Sequence, residues 1–472
     1  MSETATCARP GGYQGQAGFP RPPTRARFPV TNRLSPTAYR GPAMPGYDID
    51  PPVSRIGMIS VHTSPLAPLG TQDAGGMNLY VRELARHLAR QGRTVDIYTR
   101  RTDPFTPEVT VDVPGVNVIA VDAGPATPIG KHSLPELTGE FADAMLSYML
   151  RHDIRYDVLH AHYWLSGCVA ARLKQELGIP FVQMFHTTAF HKNAVSAVAH
   201  HEPELRGRVE ALLINEADAL IAGNPDERDD LERRRALHDG MVCMVPLGVD
   251  LDRFQPGDMA QARRDMGLPA TGVLALFVGR IDPIKGIDVL TEALARTVTG
   301  WVSETPAPRL IVVGGELDVN GSPTGDLADV AAEARRLGIA DSVFFLGSRP
   351  QEDLATLYQA VDFVVIPSRY ESFGLVAIEA MASGTPVIAS RAGGLPYSVR
   401  DGVAGLLVAP DNVIALTDAM LELSRKPDRR ASLAANARAE AARFSWQSVA
   451  TAMSGVYRSL ATRSATPICA AE

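Results

Sequence analysis

The chain has 472 residues, which is too long for one ordinary domain and predicts two or three. Apolar residues make up 45% of it and charged residues 21%, a composition that excludes a largely disordered protein. Its net charge of −7 excludes a general nucleic-acid binder, which would carry a basic excess, so local basic residues must meet any anionic ligand.

The N-terminal region is rich in Pro, Gly and Arg, as in "ARPGGYQGQAGFPRPPTRARFP", and has no hydrophobic periodicity. We expect residues 1–52 to form a disordered tail. No stretch approaches the ~18 consecutive apolar residues of a membrane span, and the N-terminus lacks the apolar segment and cleavage site of a secretion signal. Together with four cysteines that lie far apart, this predicts a cytoplasmic protein without a membrane span.

Ordered structure is predicted to begin at the apolar strand "RIGMIS" (Arg55 to Ser60), followed by a loop and an amphipathic helix from about Met77 to Arg90. Strands and helices then alternate. The further strands predicted are "TVDIYTR", "VNVIAVD", "DVLHAH", "FVQMFH", "ALIAG" and "MVCMVP". Apolar runs separated by helices are typical of a parallel sheet that is covered on both faces.

The segment "PLGVDLDRFQP" interrupts this pattern, and a second series of strands follows it: "VLALFVGR", "RLIVVGG", "SVFFLG" and "DFVVIPS". Residues from about 412 to 462 have the composition of helices. We therefore predict two doubly wound, Rossmann-like α/β domains, 53–248 and 249–445. The C-terminal segment 446–472 is expected to return to the first domain as a helix before a short tail. Because ligands of such sheets bind at the carboxyl ends of the strands, the cleft between the domains is the predicted active site.

Two glycines, Gly75 and Gly76, open the first helix in "DAGGMN". Without side chains they let a phosphate approach the backbone N–H groups and the positive end of the helix. A plain loop-to-helix turn would look the same. The fingerprint G-x-G-x-x-G with its ribose-binding acid does not follow the first strand, so a dehydrogenase is disfavoured.

Arg280 and Lys285 flank a proline turn in "VGRIDPIKG", directly after a predicted strand. Two cations at the end of a strand, beside a helix N-terminus, form a candidate clamp for a diphosphate, in which Arg binds bidentately and Lys acts as a point charge. The alternative is a solvated turn. The position after a strand favours the clamp.

The run "ESFGLVAIE" places Glu371 before a predicted helix, Gly374 to Ala382, and Glu379 about two turns into it. We expect the two acids to share a face, about 10 Å apart by the helical rise. A retaining hydrolase holds its carboxyl groups about 5 Å apart, so two hydroxyl acceptors for one long ligand are favoured. An inverting pair fits the distance, but it leaves the basic clamp unexplained.

The histidines do not have the spacing of a zinc site. His160 and His162 alternate on one strand, without an i, i+4 helical partner or a suitably spaced carboxylate. His186 ends the strand "FVQMFH" and precedes Thr187 and Thr188, so we expect it to point into the cleft. A buried structural histidine is the alternative at this position.

Four runs, "PLGVDLDRFQP", "GRIDPIKG", "ESFGLVAIEAMASGTPVIAS" and "AGGLPYSVRDGVAGLLV", resemble those of the retaining glycosyltransferases of family 4. The resemblance covers about residues 55–460 and implies the two-domain GT-B fold. In the first half, "GTQDAGGMN", "HAHYWLSG" and "HTTAFHKN" are most similar to the subgroup of mycothiol biosynthesis, which transfers N-acetylglucosamine from its UDP donor to 1D-myo-inositol 3-phosphate. The chain departs from the pattern of that subgroup at Thr188, His191 and Tyr370.

The resemblance implies a nucleotide-sugar donor, UDP-N-acetylglucosamine or UDP-glucose, and no cofactor for the chemistry. Glu379 would hold the ribose hydroxyls and Glu371 those of the donor sugar, while Arg280 and Lys285 would neutralise the leaving diphosphate. His186 would lie at the reacting sugar and would complete the catalytic set of Arg280, Lys285 and Glu371. The donor site implied by the match comprises Gly75, Gly76, Arg280, Lys285, Arg349, Glu371, Ser372, Phe373, Gly374, Leu375 and Glu379.

The acceptor site that the resemblance implies comprises His62, Asp73, Asn78, Lys131, Tyr163, Thr187 and Arg206. Its cations and hydroxyls suit a phosphate monoester. A structural Mg²⁺ would lie in the C-terminal domain at Tyr358, Gln359, Val361 and Thr385. The partners implied are two small-molecule substrates, and a homodimer is compatible with the pattern. No nucleic-acid partner is expected.

We expect retention at the anomeric carbon by front-face attack, because no carboxylate of the N-terminal domain is clearly placed as a nucleophile. The leaving diphosphate would then take the proton of the acceptor hydroxyl. Three alternatives stay open. They are a sucrose-phosphate-type synthase that takes fructose 6-phosphate, a GT-B nucleotide-sugar epimerase that needs no acceptor pocket, and a non-catalytic sugar-nucleotide sensor, which the two clamp cations disfavour.

Overall fold

The structure, a computed structural model, describes residues 53–67, 75–131, 133–195, 202–235, 240–303 and 305–462. The expected disordered tail, residues 1–52, and the expected acceptor ligand Asp73 lie outside the described residues. Two α/β lobes form the described chain. The N-terminal lobe contains the sheet of residues 55–244, and the C-terminal lobe contains the sheet of residues 274–408. The domain bounds 53–248 and 249–445 stay a prediction.

Eight strands form the sheet of the N-terminal lobe: β1 (Arg55–Ser60), β2 (Thr94–Arg100), β3 (Val109–Val113), β4 (Val116–Val121), β5 (Val158–His162), β6 (Phe181–Met184), β7 (Ala219–Ala222) and β8 (Met241–Met244). Their order is β3-β4-β2-β1-β5-β6-β7-β8, and only β3 is antiparallel to its neighbour. Since β1 pairs with β2 on one side and with β5 on the other, the winding reverses there. The loops after β1 and β5 therefore open a crevice at the carboxyl ends of the strands.

Six helices connect these strands: α1 (Gly76–Arg90), α2 (Thr138–Arg151), α3 (Tyr163–Leu177), α4 (Ala189–Val195), α5 (Glu204–Glu216) and α6 (Pro225–Arg234). They cover both faces of the sheet, which explains why β5, β6 and β7 are buried along their whole length. The α6 helix begins at a typical cap, because the side chain of Asn224 accepts a hydrogen bond from the backbone N–H of Glu227.

The C-terminal lobe has a second, fully parallel sheet: β9 (Leu274–Val278), β10 (Arg309–Val313), β13 (Val343–Gly347), β14 (Phe363–Ile366), β15 (Val387–Ser390) and β16 (Gly405–Val408). Its order is β13-β10-β9-β14-β15-β16, so the switch in winding lies between β9 and β14. A small hairpin stands apart from it, β11 (Glu316–Leu317) with β12 (Pro323–Thr324). The helices are α7 (Met259–Asp265), α8 (Ile287–Thr299), α9 (Asp326–Arg336), α10 (Gln351–Ala360), α11 (Leu375–Ala382), α12 (Leu395–Ser398), α13 (Val413–Arg425), α14 (Pro427–Ala441) and α15 (Trp446–Thr462).

The predicted fold class, two doubly wound α/β lobes, is confirmed. The prediction missed β3, β15, β16 and the β11–β12 hairpin. The strands β15 and β16 have four residues each, but so have the predicted strands β6, β7, β8 and β14, so their length alone does not explain why they were missed. The strand β3 lies at the sheet edge and is exposed or half-buried along its length, so it carries no apolar run.

The chain passes between the lobes twice, and the two passages lie side by side. The backbone N–H of Val249 donates to the carbonyl of Phe444 at 2.7 Å. Beyond the second passage, α15 packs on α1 and β5 of the N-terminal lobe. There the hydroxyl of Tyr457 lies 2.7 Å from Nδ1 of His160. The last helix of the described chain thus completes the first lobe.

None of the helices in the described part of the chain is long and apolar enough to cross a bilayer.

Candidate active site

Loops of both lobes meet at the carboxyl ends of the two sheets. A Cβ placed on Gly76, the first residue of α1, would lie 2.8 Å from Cδ1 of Leu375, the first residue of α11. The side-chain amide of Asn224 donates to the carbonyl of Ser372 at 2.7 Å. These contacts bring the predicted donor residues Gly76, Ser372 and Leu375 to one boundary between the lobes. A Cβ on Gly75 would meet no described residue within 4 Å.

Lys285 and Glu371, which are far apart in the sequence, form an ion pair in this boundary. Nζ of Lys285 lies 2.5 Å from Oε2 of Glu371, and both side chains are about four-fifths buried. Lys285 ends a short turn that the Asp282 carboxylate caps by accepting the N–H of Ile284 at 2.9 Å. An ammonium and a carboxylate held together here offer a point charge and a hydroxyl acceptor to one ligand.

Arg280 and Arg349 lie nearer to solvent than Lys285. The side chain of Arg280 is 55% exposed, and its guanidinium is 3.9 Å from the carboxylate of Asp282. Arg349 is partly exposed, and its Nε donates to the carbonyl of Leu346 at 3.1 Å. The two residues of the predicted diphosphate clamp thus differ. Lys285 is held in an ion pair with Glu371, whereas Arg280 lies near the solvent, where its guanidinium is free to change its orientation.

The expectation that Glu371 and Glu379 share a helix face was wrong. The helix begins at Leu375, Gly374 before it has a left-handed φ of 95°, and Glu371 lies in the preceding loop. The backbone of Glu371 is fixed there instead by Gly394, whose N–H donates to its carbonyl at 2.8 Å. Helical spacing therefore does not relate the two acids, and Glu379 lies about one turn into α11.

Glu379 is a buried carboxylate, only 6% exposed. It accepts hydrogen bonds from the hydroxyl of Tyr358 at 2.9 Å and from the amide of Gln351 at 3.2 Å. Burial raises the pKa of Glu379 to about 7, although these two donors oppose the rise. The carboxyl group of Glu379 therefore changes between its protonated and ionised forms near neutral pH. Phe373, by contrast, packs at 5.4 Å from the ring of Phe444 and is 1% exposed, so its side chain belongs to the core.

On the side of the N-terminal lobe, a cavity of about 70 Å³ lies between the loop before α2, the start of α3 and the start of α5. It is lined by Lys131, Pro135, Tyr163, Trp164, Leu165, Glu202, Pro203, Leu205 and Arg206. The cavity therefore gathers three of the predicted acceptor residues, Lys131, Tyr163 and Arg206. Tyr163 has a left-handed φ of 74°, a conformation that a bulky residue adopts only under constraint.

Arg206 is the most buried cation of this group, 2% exposed. Its guanidinium stands 4.7 Å above the ring of Tyr163. Each of its nitrogens has a partner: Nε donates to Glu210 at 2.7 Å, Nη2 to the carbonyl of Thr187 at 2.6 Å, and Nη1 lies 3.1 Å from Glu202. The predicted acceptor residues Arg206 and Thr187 are thus in contact, but this guanidinium has no nitrogen without a partner.

His62 and Asn78 lie beside Tyr163 and the loop after β1. The ring of His62 is 4.6 Å from that of Tyr163, and its Nδ1 is buried without a hydrogen-bond partner among the described residues. Burial, with the charges of Arg206 and Lys131, lowers the pKa of His62 to about 4. The amide nitrogen of Asn78 donates to the hydroxyl of Thr63 at 2.7 Å, whereas its oxygen is buried without a partner in the described chain. Both residues thus keep polar atoms that an acceptor could use.

Three histidines form a column under the cleft, in which His160 and His162 are buried and His186 is partly buried. The rings of His160 and His162 are 4.1 Å apart, and Nδ1 of His162 lies 3.1 Å from Nε2 of His186. His186 has a left-handed φ of 60° at the end of β6. Burial, with smaller contributions from the neighbouring histidines, lowers the pKa of His186 to about 3. The imidazole of His186 is therefore neutral at physiological pH and unsuited to act as a cationic acid.

Three of the four residues expected to hold Mg²⁺ are engaged in hydrogen bonds within the protein. The hydroxyl of Thr385 donates to the carbonyl of Tyr358 at 2.7 Å, and the amide of Gln359 donates to the carbonyl of Gln255 at 2.7 Å. Val361 is 1% exposed, and the four residues include no carboxylate. In the described part of the chain, moreover, no three His, Cys, Asp or Glu residues cluster as metal ligands would. These residues do not fit a cation site.

Two polar residues at the site were not predicted from the sequence. Glu202 lines the acceptor-side cavity, and Lys192 lies 2.6 Å from it. Glu202 lies just before α5 and four residues before Arg206, and this spacing is the signal that could have found it. Lys192 lies ten residues before Glu202 and has no such signal.

Comparison with known proteins agrees with this geometry. The family "Glycosyl transferases group 1" matches residues 258–440, and the "Glycosyl transferase 4-like domain" matches residues 75–248. The chain is 42% identical over 407 residues to the D-inositol 3-phosphate glycosyltransferase of Actinosynnema mirum, covering 86% of this chain and 97% of the relative. It is 43% identical over 408 residues to that of Mycobacterium avium, with 86% and 93% covered.

Among solved structures, the sucrose-phosphate synthase of Thermosynechococcus elongatus is similar with a TM-score of 0.78 and 36% identity, over 87% of this chain and all of that one. Anabaena HepE in complex with UDP and glucose has a TM-score of 0.64 at 22% identity, over 85% of this chain and 98% of that one. At that identity the second likeness speaks for the fold alone.

Proposed function

The chain belongs to the group 1 glycosyltransferases and has their GT-B fold, and on that premise we propose that it transfers N-acetylglucosamine from UDP-N-acetylglucosamine to 1D-myo-inositol 3-phosphate with retention at the anomeric carbon. The observation that carries the proposal is the acceptor-side cavity, in which Lys131, Tyr163 and Arg206 lie together. Two cations and a phenol suit a small phosphate monoester.

The donor would lie across the boundary between the lobes. Its diphosphate would bind Nζ of Lys285 and the backbone at Gly76, where the helix α1 begins and its dipole favours an anion. The hydroxyls of the sugar would donate to Glu371, which already lies 2.5 Å from Lys285. Glu379 would accept from the ribose. The exposed Arg280 would turn onto the diphosphate as the second cation.

The transfer needs no covalent intermediate on the protein. The bond from the anomeric carbon to the diphosphate oxygen breaks, the acceptor oxygen bonds to that carbon on the same face, and the hydroxyl proton passes to the departing diphosphate. The protein then contributes by stabilising the charge that develops on the diphosphate, chiefly through Lys285 and Arg280. His186, neutral because desolvation lowers its pKa, would contact the sugar as a hydrogen-bonding group and carry no charge.

The test is an incubation of the full chain with UDP-N-acetylglucosamine and myo-inositol 3-phosphate, followed by mass spectrometry and by NMR of the anomeric proton. We expect an N-acetylglucosaminyl inositol phosphate with an α-linkage. Incubation with the donor alone is the control that would reveal an epimerase or a hydrolase. Transfer to free inositol at an equal rate, or no transfer to the phosphorylated acceptor, would overturn the proposal.

A second candidate has specific support, because the chain is 36% identical to a sucrose-phosphate synthase over 87% of its length. The same cavity would then take fructose 6-phosphate, another phosphate monoester of a polyol. UDP-glucose with fructose 6-phosphate is therefore the second arm of the experiment. A preference for that pair by kcat/KM would replace the first assignment and leave the reaction type unchanged.

A further inference from the structure

Glu202 lies in the wall of the acceptor-side cavity between two cations. Its Oε1 is 2.6 Å from Nζ of Lys192 and 3.1 Å from Nη1 of Arg206, and its side chain is only 7% exposed. Its backbone N–H donates to the side chain of Asn193 at 2.7 Å, which fixes the residue in the wall. Burial opposes ionisation, but Lys192 and Arg206 outweigh it and lower the pKa of Glu202 to about 2. A full negative charge therefore stands in the cavity wall at physiological pH.

That charge occupies the position on Arg206 which an acceptor phosphate would need. The other two partners of Arg206 do not border the cavity. Glu210, whose side chain is 2% exposed, accepts a hydrogen bond from Nε, and the backbone carbonyl of Thr187 accepts one from Nη2. Glu202 alone among these three partners lines the cavity. An anion entering the cavity can reach the guanidinium by taking the place of Glu202. Lys131, exposed at the cavity mouth, is the cation that it would meet first.

We propose that Glu202 is the resident counter-anion of the acceptor pocket, and that the phosphate of the acceptor displaces its carboxylate from Arg206. The inference rests on the proposed function in one respect, the phosphate on the acceptor. Without ligand, the carboxylate gives Nη1 of this buried guanidinium a partner, so that no nitrogen of Arg206 is buried unsatisfied.

The same carboxylate makes the pocket selective. Inorganic phosphate brings charge alone and must displace Glu202 with that charge. A phosphorylated polyol also makes contacts between its ring and the cavity wall. These added contacts let its phosphate displace the Glu202 carboxylate, which inorganic phosphate does less well. A neutral polyol cannot replace an ion on Arg206 and leaves the pair intact. Glu202 is thus a specificity-determining residue for the size and charge of the acceptor.

The test is the binding of inorganic phosphate to the full chain by isothermal calorimetry, which needs no donor and no turnover. The variant Glu202→Gln keeps the shape and removes the charge, and we expect its dissociation constant for phosphate to fall about tenfold, as removal of one like charge from a partly buried wall allows. Glu204→Gln is the matched control on α5, because Glu204 is 84% exposed and 3.7 Å from Arg208. It should bind phosphate as the unmodified chain does.

A second variant, Glu202→Asp, guards against loss of folding in the first. Its shorter side chain withdraws from Arg206 and should give an intermediate gain in phosphate affinity. Unchanged or weaker phosphate binding in folded Glu202→Gln or Glu202→Asp would overturn the inference. If phosphate binding tightens as expected but the chain transfers nothing to myo-inositol 3-phosphate, the proposed acceptor fails and the competing carboxylate stands.

Discussion

His191 of the N-terminal lobe stacks on Tyr370 of the C-terminal lobe, with ring centroids 5.4 Å apart and an interplanar angle of 25°. Nδ1 of His191 lies 3.0 Å from the hydroxyl of Thr188, so the three residues that depart from the subgroup pattern are in one contact network. Tyr370 directly precedes Glu371, the proposed acceptor of sugar hydroxyls. The stack therefore ties the acceptor-side helix α4 to the loop that carries a donor-side carboxylate.

This contact is expected to couple the two lobes during turnover. His191→Ala and Tyr370→Ala should each lower kcat/KM by about 3- to 10-fold, because an aromatic pair contributes roughly 1 kcal/mol beyond its buried area. The double variant should lose little more than either single one, which kinetics on all three variants would measure. Tyr370→Phe keeps the ring and serves as the control. Additive losses would mean that the rings do not act together.

Lys285→Ala should lower kcat by at least ~100-fold, the size of effect found when one charge-stabilising donor is removed from a transition state. The KM of the donor should change less, because the diphosphate gains most of its charge as the sugar departs. Steady-state kinetics would measure both constants. Arg296→Ala is a suitable control, since Arg296 is 53% exposed and pairs with Glu292 on the outer face of α8. Normal turnover by Lys285→Ala would remove Lys285 from the mechanism.

Gly76→Ala and Gly75→Ala should differ although the positions are adjacent. The added methyl at Gly76 would lie 2.8 Å from Cδ1 of Leu375, so the Leu375 side chain must move at the start of α11, whereas at Gly75 the methyl meets nothing within 4 Å among the described residues. We expect Gly76→Ala to raise the KM of the donor about tenfold and Gly75→Ala to have little effect on packing. Equal behaviour of the two variants would contradict the close contact of α1 with α11.

Donor binding should depend on pH through Glu379. Because burial raises the pKa of Glu379 to about 7, the group is largely ionised above that pH and protonated below it. An ionised carboxylate accepts hydroxyl hydrogen bonds more strongly, so the KM of the UDP-sugar should rise as the pH falls from about 8 to about 6. Glu379→Gln should bind the donor more weakly and without this dependence. A pH profile that Glu379→Gln shares with the unmodified chain would assign the titration elsewhere.

Stability should also vary with pH, through Glu227. Burial raises the pKa of Glu227 to about 7 from an ordinary value of 4.5, although the N–H of Gly223 donates to it. At pH values between 4.5 and about 7, Glu227 is therefore protonated in the folded chain and ionised in the unfolded chain. Its contribution to the free energy of unfolding falls as the pH rises through about 7. Glu227→Gln cannot titrate, so relative to the unmodified chain it should gain about 1–3 kcal/mol between about pH 5 and pH 8.

Denaturant unfolding at the two pH values would measure that gain. Glu232→Gln is the control on the same helix, because Glu232 is about half exposed. If Glu227→Gln and the unmodified chain kept a constant difference over this range, Glu227 would not carry a raised pKa.

The sequence predicted those features that depend on short segments. The strands β1 and β2 have the predicted bounds, because their apolar runs are buried on both faces of a sheet. Site residues such as His186 and Lys285 lie after strands, as expected from the geometry of parallel sheets.

Features that depend on one backbone angle or on distant partners were not predictable. The sequence predicted that Glu371 precedes the helix of Glu379, but not the left-handed φ of Gly374, which removes any helical spacing between the two acids. Nor does the sequence show that His191 and Tyr370, from different lobes, stack on each other. The saturation of Arg206 depends on three partners that the fold brings together.

The path of α15 has a consequence for how the protein is made. A ribosome that has finished β8 has made every strand of the first sheet, but not the helix whose Tyr457 caps His160. At synthesis rates of about 5–20 residues per second, that surface stays bare for on the order of tens of seconds while the other half emerges. The N-terminal lobe is therefore synthesised first but completed last. A stop codon just before Trp446 would remove α15 and expose the surface of α1 and β5 on which it packs.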